Sequence, residues 1–347
     1  MPALIARLLP DPLGRRPASR FLPALALFLA LALTPQRAAA CTVSAASTNL
    51  GSVSSYSVAS TAQQGSGSSG LQCDVALALL ATHYVALRVD ASTFLLTGPS
   101  GQTIPFVASL AQNGTPLTIG TLQNLSSTTL LSLFSGTNNS IPIYFRTTAT
   151  SALRAGTYTG FLDVRWFYSV CTLGVAVCLA YDSSPGFVRP LLGTPTNWGT
   201  GTAVRISITL VVQNDCIITA PTAAFGSAPL VGSFNPITRT ILIRCSAGTA
   251  YTVGLDDGSN AASGLRRMRA GTTANYLQYE IYKTASSTDR WGATGSARRS
   301  SASADSNAGT YDSLTSQGYT YRAALLPGQV TPPAGAYSDT IRIDVAF

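Results

Sequence analysis

Apolar and polar residues alternate strictly along positions 204–213. Val204, Ile206, Ile208, Leu210 and Val212 fall on one side, and Arg205, Ser207, Thr209, Val211 and Gln213 on the other. Period-two alternation rich in β-branched residues predicts a half-buried strand. Shorter β-branched or aromatic runs recur at 83–89, 141–146, 161–168, 240–244, 277–282 and 340–347. Turn signals separate them, such as Gly98-Pro99-Ser100-Gly101, Asn113-Gly114 and Asp257-Gly258. No long segment carries the helical period. The predicted fold is all-β, two antiparallel immunoglobulin-like β-sandwiches.

The pattern is written twice. Cys41 opens CTVSAASTNLGSV and Cys216 opens CIITAPTAAFGSA, an offset of 175 residues. Gly156-Thr157-Tyr158 and Gly335-Ala336-Tyr337 each start an alternating strand, at an offset of 179. One fold used twice accounts for both spacings. The halves differ after their closing strands. The first continues for about 45 residues, as the sequence counts them, and includes 204–213; the second reaches Phe347 with no such strand. Two readings of 204–213 stay open: the opening strand of the second domain, or the strand that closes the first. The second reading gives domains at 41–214, with 203–213 as the closing strand, and 215–347. It leaves the second domain without its final strand.

Residues 1–40 read as an export signal. Arg15, Arg16 and Arg20 precede the apolar run 21–33, and Ala38-Ala39-Ala40 suits cleavage before Cys41. A lipoprotein junction at Ala-Ala-Ala-Cys is the alternative; it lacks the usual Leu and would strand Cys73. The formal charge of +8 shrinks on export. Removing five arginines and one aspartate from 22 and 14 leaves 17 basic and 13 acidic residues. The arginines are scattered without interleaved aromatics, so no nucleic-acid partner is expected. Six cysteines in an oxidising compartment form three disulfides. Of the possible pairings, spacing favours Cys41–Cys73, Cys171–Cys178 and Cys216–Cys245.

Several residues of the second half carry a family resemblance. They are Cys216 with Phe225-Gly226, Cys245 with Gly248-Thr249-Ala250-Tyr251, Arg267-Met268, Leu277, Tyr279 and Tyr282, Trp291-Gly292, and Gly335, Tyr337, Asp339 and Thr340. Together they resemble the spore coat protein U domain. The first half keeps the cysteines and the Gly-x-Tyr strand. The pair resembles the two-domain tip adhesin of archaic, Csu-type chaperone–usher pili. That resemblance implies pilin-type domains completed by donor-strand exchange. It also implies a periplasmic pilus chaperone, an outer-membrane usher and an adjacent pilin as partners, and display at the cell surface. Ile341, Ile343, Val345 and Phe347 would line the donor-strand groove and meet the chaperone; Val204, Ile206, Ile208, Leu210 and Val212 would complete the first domain from within. With Cys41 as the first mature residue, no extension would remain to donate, which suits the end of a fibre.

The expected binding surface lies at the end of the first domain far from the second, on apolar loops: Leu77, Leu79 and Leu80, the turn with Leu133 and Phe134, and the disulfide loop with Leu173, Val175 and Val177. Exposed apolar loops suggest a binding surface, and the resemblance implies that such loops would hold an abiotic or host surface; ordinary core strands are the plainer alternative. No enzyme is expected. His83 is the single histidine and lies in a strand-like run, there is no nucleophile elbow, and no pair of carboxylates stands out for glycoside hydrolysis. No metal or cofactor is implied. Two rival functions remain: a coat or matrix protein without an adhesive end, and a lectin using Tyr168, Tyr181 and Trp198.

Overall fold

The computed structural model describes residues 41–74, 82–173, 178, 180–190 and 193–347, without the side chains of 172 and 173. Residues 1–40, read as an export signal, and 75–81 lie outside the described residues. In chain order the first half holds β1 (Cys41–Val43), β2 (Ala46–Ser54), β3 (Gln64–Cys73), β4 (Tyr84–Ala91), β5 (Leu95–Thr97) and β6 (Thr103–Ser109). There follow β7 (Leu122–Asn124), β8 (Ser140–Thr147), β9 (Gly156–Leu173), β10 (Ala180–Ser183) and β11 (Thr202–Gln213). The second half holds β12 (Cys216–Thr219), β13 (Ile237–Cys245), β14 (Thr252–Leu255), β15 (Arg266–Ala270) and β16 (Tyr276–Tyr282). It closes with β17 (Arg299–Ser300), β18 (Gln317–Leu325), β19 (Tyr337–Ser338) and β20 (Ile343–Ala346). Two separate apolar cores, one per half, lie between the layers, as expected for two β-sandwiches.

In the first half the sheet order is β1-β3-β8-β6-β5-β9-β11-β2, with β4, β7 and β10 attached through β9 and β4. The second half has a six-stranded sheet, β12-β13-β18-β16-β15-β19, and a three-stranded one, β17-β14-β20. Matching disulfides pin the two openings: Cys41 lies opposite Cys73 in the β1–β3 register, and Cys216 opposite Cys245 in β12–β13. A third bond joins Cys171 to Cys178.

Every strand partner of β11 belongs to the first half. Its register with β9 is antiparallel, from Thr202 opposite Trp166 to Val212 opposite Gly156. On its other side it runs parallel to β2, with a register shift between Thr209 and Val211. The parallel pair departs from the antiparallel expectation: β2 and β11 point the same way because a whole sandwich separates them in the chain. Ile206, Ile208, Leu210 and Val212 are sealed in the first core, none more than 1% exposed. At about 1.5–3 kcal/mol per fully buried aliphatic side chain, this one strand is comparable with the net stability of a whole domain.

Among the described residues two short α-helices interrupt the strand pattern. Ser54 caps the first, Ser55–Ser60, by accepting from Ser57 N at 3.1 Å, and Val58 anchors it in the core. The second is Leu130–Leu133. The halves meet where β11 ends. Ser55 Oγ lies 2.7 Å from Ser246 Oγ, Ala247 N donates to Leu153 O at 3.3 Å, and Tyr56 Oη donates to Ser313 O at 3.2 Å. Burial pushes the Tyr56 phenol up to about 12, against the pull of Arg244. Among the described residues no helix is long and apolar enough to cross a membrane.

Candidate functional site

β20 is the counterpart of the middle of β9. The 179-residue offset pairs Leu162 with Ile341, Val164 with Ile343, Trp166 with Val345 and Tyr168 with Phe347. The neighbours agree. Leu87 lies opposite Trp166 and Val89 opposite Val164 across β4–β9; Val253 lies opposite Val345 and Leu255 opposite Ile343 across β14–β20. Burial does not agree. Leu162, Val164 and Trp166 are 0% exposed and Tyr168 7%. Ile341, Ile343 and Val345 are half-buried at the margin of the second core, and Phe347 is 54% exposed.

The difference is what lies alongside. β9 has β11 on one flank and β4 on the other. Among the described residues β20 has one strand neighbour, β14. The second wall is open as well. The 175-residue offset carries β2 onto 221–229, and that stretch is irregular and almost wholly exposed. Leu230, at its end, is 59% exposed. A half-buried apolar row beside an unpaired strand edge is a docking place for an extended chain, which can bury the row and satisfy the edge together.

Polar contacts hold this open edge in position. Tyr279 Oη donates to Asp339 Oδ2 at 2.8 Å, and Asn260 donates to Asp339 Oδ1 from its backbone N at 3.2 Å and its Nδ2 at 3.0 Å. Burial, then the Asp339 carboxylate, raises the Tyr279 phenol well above its usual range. Gly258, in the left-handed region at φ +86°, packs so closely on Asp339 that a Cβ would collide with it. Arg342 N donates to Asp256 Oδ1 at 2.9 Å, and Arg298 forms an ion pair with Asp344. Beneath, the fully buried Arg266 pairs with Glu280 and donates to Asp256 O and Trp291 O at 2.7 Å each, so its charge is compensated.

The far end of the first half is marked by the Cys41–Cys73 bond, the start of β11 and the Leu130–Leu133 helix. Leu133 and Phe134, expected to be displayed, are core residues at 6% and 4% exposure. Their neighbour Leu131 is the displayed one, at 60%. Leu77, Leu79, Leu80, Val175 and Val177 lie outside the described residues; so does the side chain of Leu173, whose backbone ends β9. The three aromatics of the lectin reading are each packed against other side chains. Tyr168 is buried, Trp198 packs on Phe187 at 5.6 Å, and Tyr181 is covered by Arg189 at 3.5 Å from its ring centre. Arg189, which the sequence pattern did not single out, also lies over Tyr84 and donates to Thr82 O. His83 has its Nε2 2.8 Å from Thr128 O, a structural bond.

Comparisons with known proteins agree with this architecture. The chain is similar to a chain of the chaperone–tip adhesion subunit pre-assembly complex (CsuC-CsuE) from archaic chaperone–usher Csu pili of Acinetobacter baumannii. Identity is 32% over 89% of this chain and 100% of that one, at TM-score 0.69. A more remote likeness is to the adhesive subunit CfaE of enterotoxigenic Escherichia coli, 12% identical over 88% of this chain and 93% of that one, at TM-score 0.29. No curated protein matches. The Spore Coat Protein U domain model matches twice, at 27–165 and 202–344. The second match therefore includes β11, although the hydrogen-bonding partners of β11 are in the first half. Residues 166–201, with the Cys171–Cys178 disulfide and Arg189, fall outside both matches. With matches over most of its length, the chain belongs to the Spore Coat Protein U domain family.

Proposed function

We propose that this protein is a non-enzymatic adhesin at the tip of a chaperone–usher fibre, exported and displayed at the cell surface. In this reading 41–214 is the adhesive domain, completed by its own β11, and 215–347 is a pilin domain that accepts a strand from the next subunit. One observation carries it: Leu162, Val164 and Trp166, sealed beside β11 in the first half, have counterparts left half open in the second, where no strand takes the place of β11 among the described residues. The similarity to the Csu subunit complex supports it. A periplasmic chaperone would shield the β20 edge until an adjacent pilin replaces it at an outer-membrane usher. Surface contact is assigned to the far end of the first domain, through Leu131 and the loops holding Leu77, Leu79, Leu80, Leu173, Val175 and Val177. At that same end the Cys41 backbone N donates to Asp182 Oδ2 at 3.0 Å.

Thermal unfolding of 41–214 and 215–347, each exported separately, tests the division. The first segment is expected to melt cooperatively. The second is expected to aggregate, and to be rescued when a copy of Thr202–Gln213 is appended after Phe347 through a Gly/Ser linker. A second segment that melts cooperatively alone, and gains nothing from the added strand, would overturn the reading.

A further inference from the structure

On the outward face of the β3-β8-β6 sheet lies a cleft of about 280 Å3. The register explains its shape. Gln64 lies opposite Arg146 and Ser66 opposite Tyr144 across β3–β8; Val107 and Ser109 of β6 lie opposite the same two residues on the far side of β8. Gly65 and Gly67 face inward, where a Cβ on Gly65 would come within 2.7 Å of Leu50 Cδ2 and one on Gly67 would collide with Thr48. The outward residue between them is only a serine, so the floor is low. Tyr144 and Arg146 form one wall, and the turn carrying Gln112 and Asn113 the other. Ser109 Oγ fixes that turn by donating to Ala111 O at 2.7 Å.

The chemistry of the lining is unspent. Among the described residues the side chains of Gln64, Ser66, Gln112, Asn113, Tyr144 and Arg146 have no hydrogen-bond or ion-pair partner. Elsewhere in this arginine-rich chain guanidinium groups are mostly committed: Arg165 to Asp90, Arg205 to Asp163, Arg266 to Glu280, Arg298 to Asp344, Arg299 to Asp305. No carboxylate lines the cleft, so its one formal charge is positive.

We propose that this cleft binds a carboxylate-bearing sugar ring. A guanidinium offers a planar fork that matches a carboxylate in bidentate fashion. Three side-chain amides supply donors and acceptors for neighbouring hydroxyls. The half-buried Tyr144 ring gives an apolar platform with a polar tip for the C–H face of a pyranose. A volume at the low end for ligand sites suits one ring rather than a long chain. The site is on the flank of the first domain and shares no residue with the β20 edge, so it stands whether or not the donor-strand reading does.

Calorimetric titration of the full exported chain tests the site, with methyl β-glucuronide, N-acetylneuraminic acid, neutral methyl β-glucoside and acetate as probes. Saturable binding of at least one acidic sugar is expected, about tenfold or more tighter than glucoside or acetate. Preference for glucuronide would identify a polyuronate-type source, and preference for neuraminic acid a sialylated one. Arg146→Gln should abolish the preference for acid over neutral sugar, while Tyr144→Ala should weaken both. Both side chains face outward, so melting of the variants should match the parent; Arg146→Lys, which keeps the charge but loses the fork, repeats the test should either variant unfold. No saturable sugar binding, acetate binding as well as the sugars, or a preference that survives Arg146→Gln would overturn the proposal.

Discussion

Positions 166 and 345 carry the same role with different outcomes. Trp166 is fully enclosed and donates from Nε1 to Ser69 O at 2.9 Å. Val345, its counterpart, is only half covered. Trp166→Ala should therefore destabilise the first domain by about 3–5 kcal/mol. Val345→Ala should cost the second domain about 1 kcal/mol, since only part of its burial free energy is realised, and more once a donor strand covers it. Urea unfolding with a separate probe in each domain checks both. The internal repeat makes these pairs legible in the sequence, because a fold used twice keeps its spacing. The turn at 130–134 was not legible. Read as a hairpin turn, it offers Leu133 and Phe134 to solvent; wound as one helical turn, it places Leu130, Leu133 and Phe134 on a common inward face and Leu131 outside. Four residues are too few for the helical period to declare itself in sequence.

At the scale of elements, alternation foretold β11 and the face it buries, yet not its neighbours. Period two says which side chains point inward and nothing about which strand lies alongside, so the parallel partner β2 came only with the structure. The cleft beside Tyr144 was equally hidden, since it arises from register across three strands distant in sequence. The segment feeding β20 depends on polar anchors more than on apolar burial, which gives it a pH signature. The Tyr279 phenol is raised in the folded chain above its ordinary value of 10.0. Its contribution is therefore fully present below that value and is lost as pH rises beyond it. Melting of the second domain, followed from neutral pH to about pH 11, should fall at the alkaline end. Tyr279→Phe should flatten part of that fall, and the rest belongs to the other tyrosines raised by burial, Tyr251, Tyr319 and Tyr321. A profile unchanged by Tyr279→Phe would remove this anchor from the account.

At the scale of the molecule, one architecture is present in a closed and an open form. The first sandwich contains the strand that covers its row of apolar side chains; the second presents the same row beside a bare edge and an irregular stretch at 221–229. In the proposed reading the second domain is incomplete, and such an edge must stay covered or risk pairing with whatever edge it meets, which is why a chaperone and a neighbouring subunit fit the account together. Hydrogen exchange on the full chain tests this most directly, because it reads the stability of each strand separately. Backbone amides of Ile343–Ala346 should exchange much faster than those of 161–168 in β9. Appending a copy of Thr202–Gln213 after Phe347 should bring protection to β20, and to 221–229, approaching that of β9. Amides of β20 as protected as those of β9 without any added strand, or unchanged by its addition, would contradict the open-edge account.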